Sequence, residues 1–182
     1  YYRIKQEREM PEYDFGYHPN AIKAYKKKYN LDPFNLRAEK FLEKWHQFRL
    51  DAITSLVAEL KIIAHNYNTQ ISAAVFPYPK LSRKMVRQDW SNWELDIICP
   101  MNYHHFYDEN IDWIGKSVSK GIKNIGFKSK YLSGIFVGAL NPLNLKNAII
   151  KSLENGASGV SFFSAENLSL DHLKIIRSFK KN

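Results

Sequence analysis

Apolar residues recur at three- and four-residue steps through Phe41, Leu42, Trp45, Phe48, Ala52, Ile53, Leu56, Val57, Leu60 and Ile63. That period predicts one long helix with a buried stripe. Asp32-Pro33 just upstream is a helix start signal, Asp as cap and Pro at the first position. A different pattern follows, in which the short segments 71–76, 95–99, 132–137 and 159–163 are largely apolar rather than alternating. They read as strands covered on both faces. Between and after them lie segments of helical character: 81–93 as short turns, then 113–125, 143–153 and 170–179. Asn155-Gly156 stops the third of these, and Ser169 caps the last.

The order is helix, then strand and helix four times over, which predicts an α/β chain with a parallel sheet and helices outside it. A doubly wound sheet and a barrel both satisfy that order. No Gly-rich phosphate loop follows any of the four strands, which lowers the odds of a nucleotide-binding fold. Closing a (β/α)8 TIM barrel takes eight strands. With four visible, residues 35–182 read as the C-terminal half of such a barrel, and residues 1–34, rich in Tyr, Pro and charge, as a loop-rich insertion with a short helix at 20–29.

Composition narrows this only a little. The chain has 182 residues, 45% of them hydrophobic, enough for one substantial core. Polar residues interrupt every apolar run well short of the roughly 18 residues that span a bilayer, so no membrane span is expected. Tyr1-Tyr2-Arg3-Ile4-Lys5-Gln6-Glu7-Arg8 reads as the middle of a protein rather than a leader. Cys99 is the single cysteine, which excludes an internal disulfide and a cysteine-based zinc site. The formal charge of +9 is spread over scattered lysines, with clusters at Lys26-Lys27-Lys28 and Lys180-Lys181, so solvated surface rather than a nucleic-acid partner is expected. His18, His46, His65 and His172 show no metal-ligand spacing, and neither a metal nor another cofactor is expected. Aromatic residues make up 14% of the chain, and flat aromatic faces are common partners of sugar rings.

In a parallel barrel the working residues lie past the C-terminal ends of the strands. Here those ends carry Phe76-Pro77-Tyr78-Pro79, then Pro100-Met101-Asn102-Tyr103-His104-His105-Phe106-Tyr107, Gly138-Ala139-Leu140-Asn141 and Phe163-Ser164-Ala165-Glu166-Asn167. Several pieces fall in one order: Trp45-x-x-Phe48-Arg49, Ser72-Ala73-Ala74-Val75-Phe76 before a proline, Gln88-Asp89-Trp90-x-x-Trp93, Leu95-Asp96, Pro100-Met101-x-Tyr103, and Gly156-Ala157-x-Gly159-Val160-x-Phe162-Phe163. From about residue 40 to residue 180 the chain thereby resembles the glycosyl-hydrolase-like 10 family. The resemblance implies a bacterial glycoside hydrolase with a (β/α)8 barrel, acting on cell-envelope or other polysaccharides. It also implies export, to the periplasm or as a lipid-anchored cell-surface protein. A strand ending in an aspartate-bearing Asp-Tyr motif would precede Tyr1, so this fragment alone is expected to be inactive.

Glycoside hydrolysis takes two carboxyl groups. Asp89, Asp108, Glu109 and Glu166 are the acids available to the rim, whereas Asp96 enters a strand at its N-terminal end, the stability face. Asp89 is the first catalytic candidate, with capping of the following short helix as its rival role. Glu166 is the second, its rival an exposed loop acid. Tyr103 and His104 are placed to bind sugar hydroxyls or tune a carboxyl group, and His105 is expected to face elsewhere. Asn102 is a hydroxyl ligand or a turn former. Gln88 belongs to the same motif as Asp89. Trp90 and Tyr78 are candidate stacking platforms, while Trp45, Trp93 and Phe162 read as packing. Arg49 reaches the rim to pair with an acid or is a surface arginine. Three readings stay open: a glycosidase, a non-catalytic carbohydrate-binding barrel, and an unrelated basic module for nucleic acid, which a steep loss of binding with added salt would support. Half a barrel would also leave two edge strands unpaired, so the chain needs its missing half, or copies associate across the open edges.

Overall fold

The computed structural model describes residues 10–36, 39–125 and 129–179. Tyr1–Arg8 and Lys180-Lys181, read above as chain interior and surface charge, lie outside the described residues. The chain divides into two compact units, Tyr1–Ala52 and Ile53–Asn182.

In the first unit, His18 accepts the amide of Asn20, Pro19 takes the first turn, and helix α1 runs Pro19–Tyr29 before Asn30 ends it at φ 53°. Single turns of 3-10 helix occupy Pro11–Tyr13, Phe15–Tyr17 and Pro33–Asn35. The Asp32-Pro33 start signal is used for the last of these, not for the long helix. The Asp32 carboxylate accepts the amide of Phe34 and closes a single turn. The long helix, α2, runs Glu39–Asn66, and the division between units falls within it. Tyr17, Tyr25 and Trp45 form the buried centre of the first unit, with Trp45 at 5.1 Å from Tyr17 and edge-on to Tyr25 at 5.0 Å.

The second unit holds β1 Ser72–Val75, α3 Pro79–Val86, β2 Ile97–Pro100, α4 Asp112–Ile125, β3 Lys130–Phe136, α5 Pro142–Glu154, β4 Gly159–Phe163 and α6 Leu170–Ser178. All four strands are parallel and lie in the order β1-β2-β3-β4. The β2–β3 ladder starts at Ile97 and Ile98 and resumes in the same register where Met101 meets Gly134. A Cβ on Gly134 would lie 2.8 Å from the Pro100 carbonyl oxygen, so only glycine lets the two strands approach there. Gly156, at φ 98°, ends α5, and Ser169 caps α6 by accepting the amide of His172.

Parity decides which strand residues meet the helices. Ala73, Val75, Ile98, Tyr131, Ile135, Val160 and Phe162 share one hydrophobic core with residues of α2, α4, α5 and α6. The alternate residues, Ser72, Ala74, Cys99, Leu132, Phe136, Ser161 and Phe163, belong to no buried cluster and are half-buried or exposed. The expectation of strands covered on both faces is therefore corrected, since among the described residues α-helices cover one face only. The strand order never reverses, so these four strands contain no topological switch point of the doubly wound kind. Among the described residues, no helix is long and apolar enough to cross a membrane, and no group of three or more His, Cys, Asp or Glu is placed to hold a metal ion.

Candidate functional site

Asn102, immediately past β2, is fully buried. Its Nδ2 donates to the Tyr131 hydroxyl at 3.2 Å and to Ser133 Oγ at 3.0 Å, and its Oδ1 accepts the Ser117 hydroxyl at 2.6 Å. Ser152 joins through Ser133 at 2.9 Å. Every polar atom of the amide is thus engaged inside the protein, which corrects the expectation of a sugar ligand. Asn102 is the tie that fixes the turn carrying the next residues. Burial pushes the Tyr131 hydroxyl upward, so it stays a neutral partner in this network.

The turn gathers Tyr103, His105 and Phe106 on one side and turns His104 away. Tyr103 stacks on Phe163 with centroids 5.9 Å apart and planes 19° apart, and lies 5.8 Å from both Phe136 and Phe106. Phe136 and Phe163 are the last residues of β3 and β4, on the face that no helix covers. The Phe163–Ser164 peptide is cis. Phe106 is 58% exposed and Phe163 54% exposed, so the group offers open aromatic surface at the C-terminal end of the sheet. His105, expected to face elsewhere, joins this group at 4.2 Å from Phe106 and 4.6 Å from Phe136. His104 instead is buried and lines a separate hollow of about 400 Å³ with Glu109, Asp112 and Lys151. Burial lowers the pKa of both imidazoles, with His105 lowering that of His104 further.

Gln88, Asp89 and Trp90 act together as a brace beneath the end of β1. The Gln88 side-chain oxygen accepts the Phe76 amide at 2.9 Å, and the fully buried Trp90 donates its indole N–H to the Phe76 carbonyl at 3.0 Å. Trp90 therefore has no free face on which a sugar could stack. Asp89 is buried against Arg83 at 2.8 Å and accepts the Asn92 side-chain amide at 2.9 Å. It makes no side-chain cap to the helix backbone, so its rival role is not what holds it. Tyr78 packs beside Trp113 at 6.4 Å with the Lys120 ammonium 4.6 Å from its ring, apart from the Tyr103 group. Arg49 pairs with Asp14 through both terminal nitrogens, at 2.8 and 2.7 Å, inside the first unit. Its carboxylate partner is therefore not a rim acid.

Glu166 is exposed and accepts the Ser164 hydroxyl at 2.8 Å, three residues beyond Phe163. At the opposite end of the sheet Asp96 accepts the Ile71 amide at 2.8 Å and meets His65 Nε2 at 3.0 Å. The Ile71 amide and then His65 hold its carboxyl below the usual range, a structural use of the N-terminal face. Sequence reasoning missed Phe106, Phe136, Phe163 and His105. The signal that would have found Phe136 and Phe163 is their parity with exposed Ser161 rather than with buried Ile135 and core-packed Val160.

No family model matches the chain, and no curated protein matches it. Five chains of solved structures match, among them the monoclinic crystal form of bee venom hyaluronidase, at 12% identity and a TM-score of 0.49. That match covers 87% of this chain and 59% of the other, so the chain spans about 59% of the length of the structure it matches. A likeness of this size carries neither fold nor chemistry from that protein to this one.

Proposed function

We propose that this chain is the C-terminal half of a (β/α)8 barrel that cleaves O-glycosidic bonds in a polysaccharide or cell-envelope glycan, and that the Tyr103, Phe106, Phe136 and Phe163 rings form its sugar platform. The observation that carries the reading is the position of these rings, on the helix-free face of a singly wound parallel sheet and at its C-terminal ends. The apolar C–H face of a pyranose packs on such rings, while its hydroxyls reach the polar groups around them. Glu166, exposed and oriented by Ser164, is the acid or base on this side. The second carboxyl of the pair comes from polypeptide ahead of Tyr1, where the resemblance implies an Asp-Tyr motif. Asp89 positions the end of β1 through Arg83 and Asn92 rather than meeting substrate. Export to the periplasm or cell surface belongs to the same resemblance. That Asp89 is locked in an ion pair favours a second reading, a non-catalytic carbohydrate-binding barrel.

The test uses the complete encoded polypeptide on a panel of bacterial envelope glycans and plant polysaccharides. Glu166→Gln is expected to lower kcat by about 10²–10⁴-fold with the fold retained, the usual range for an acid–base group. Phe163→Ala is expected to raise KM. Full activity in Glu166→Gln removes Glu166 from the mechanism. Glycan binding without cleavage by the unmodified polypeptide selects the binding barrel.

A further inference from the structure

One unexplained apolar surface of the second unit is a stripe along the end of α2 and the residue after it. Leu56, Leu60, Ile63 and Tyr67 recur at steps of four, three and four residues and are 55%, 46%, 54% and 79% exposed. The adjoining part of the same helix face, at Ile53 and Val57, packs into the core that the sheet shares with the other helices. A helix whose apolar face is broader than the surface covering it is missing a neighbour along the uncovered flank.

The sheet shows the same deficit next to it. Ile97 and Met101 donate to the carbonyls of Ile71 and Val75, so by alternation the peptide groups of Ser72 and Ala74 point away from β2 toward the free edge. Both residues are exposed. At the next even position the edge is closed, because the Phe76 amide and carbonyl are taken by Gln88 and Trp90. The open edge is therefore confined to Ser72 and Ala74, just below that brace.

Handedness says what belongs there. Parallel strands are joined by right-handed crossovers, and each crossover helix lies over the groove between the two strands it connects. Since α2 leads into β1 on the helix-covered face, the strand preceding it in such a crossover would sit against the free edge of β1. We infer that the β1 edge and the α2 stripe form one docking surface for a further parallel strand and its helix, supplied by polypeptide ahead of Tyr1 in the same protein. A second copy of the chain fits this surface less well. Continuing β1 with the β4 of another copy would bring α6 of that copy into the groove that α2 already covers. The inference rests on the half-barrel reading and not on the glycosidase one, so a polypeptide that cleaves no glycan would leave it standing.

Hydrogen exchange followed by mass spectrometry on the complete encoded polypeptide and on the 182-residue chain is the test. The amides of Ser72 and Ala74 should exchange on the order of 100-fold more slowly in the complete polypeptide. Leu60→Lys and Ile63→Lys should each lower the thermal midpoint of the complete polypeptide by more than about 5 °C. Leu143→Lys, at an exposed apolar position on α5, is the control and should leave it unchanged. Equal exchange at Ser72 and Ala74 in both proteins, or lysine variants as stable as the control, would overturn the proposal. So would a dimeric 182-residue chain with those amides already protected, which would make a second copy the occupant.

Discussion

His104 and His105 are neighbours in sequence with opposite placements, one in the hollow beside Asp112 and Lys151, the other among Phe106 and Phe136. Burial depresses both pKa values below the model-peptide value of 6.5. The unfolded chain therefore takes up protons at a higher pH than the folded one. Stability due to these groups is fully present above the unfolded pKa and is lost as pH falls from about 6.5 through the lower folded values. The thermal midpoint is expected to fall between pH 7 and pH 5, and to fall less steeply in His104→Gln; equal slopes in the two proteins would remove His104 from the effect. The residue types of this turn were legible in the sequence and their directions were not. Asn102 looks the same whether it binds a sugar or ties strands together, because that depends on backbone angles after β2 that no spacing encodes. Phe136 and Phe163 were hidden by their strands, where a continuous apolar run conceals which parity faces the helices.

At the scale of elements the sequence was more informative. The four strands and the helices after them lie where periodicity placed them, with α3 and the turn Trp90–Asn92 standing in for the short helical turns expected over 81–93. The start signal at Asp32 was misplaced because the Asp side chain closes whatever turn follows it, and a 3-10 turn serves as well as a helix. What joins the elements was invisible. Asn102 connects the end of β2 to β3 through Tyr131 and Ser133, to α4 through Ser117, and by way of Ser133 to Ser152 on α5. Asn102→Ala would leave buried hydroxyls without their partner, at a cost of roughly 1–3 kcal/mol. Chemical denaturation should show that loss, and tyrosine–phenylalanine platform geometry should loosen with it, seen as weaker glycan binding by the folded variant. A variant as stable as the parent would mean the hydroxyls re-pair among themselves.

The whole second unit is a sheet with one finished face and one unfinished one. Cys99 sits on the unfinished face, in β2 between the exposed Ala74 and half-buried Leu132, and is the only thiol in the chain. Burial pushes its pKa up, so little thiolate is present near neutrality and its reaction rate should climb with pH. If that face is the interior of a larger barrel, strands completing it would fill the space in front of Cys99 with layers of side chains. A maleimide reagent should then label Cys99 readily in the 182-residue chain and slowly, if at all, in the folded complete polypeptide, with denaturant restoring the rate. Equal labelling rates would mean that this face stays open to solvent in the complete protein. The aromatic platform would then lie on an open sheet, where sugar binding has no surrounding wall, and the barrel reading would lose its physical basis even if the strand order stood.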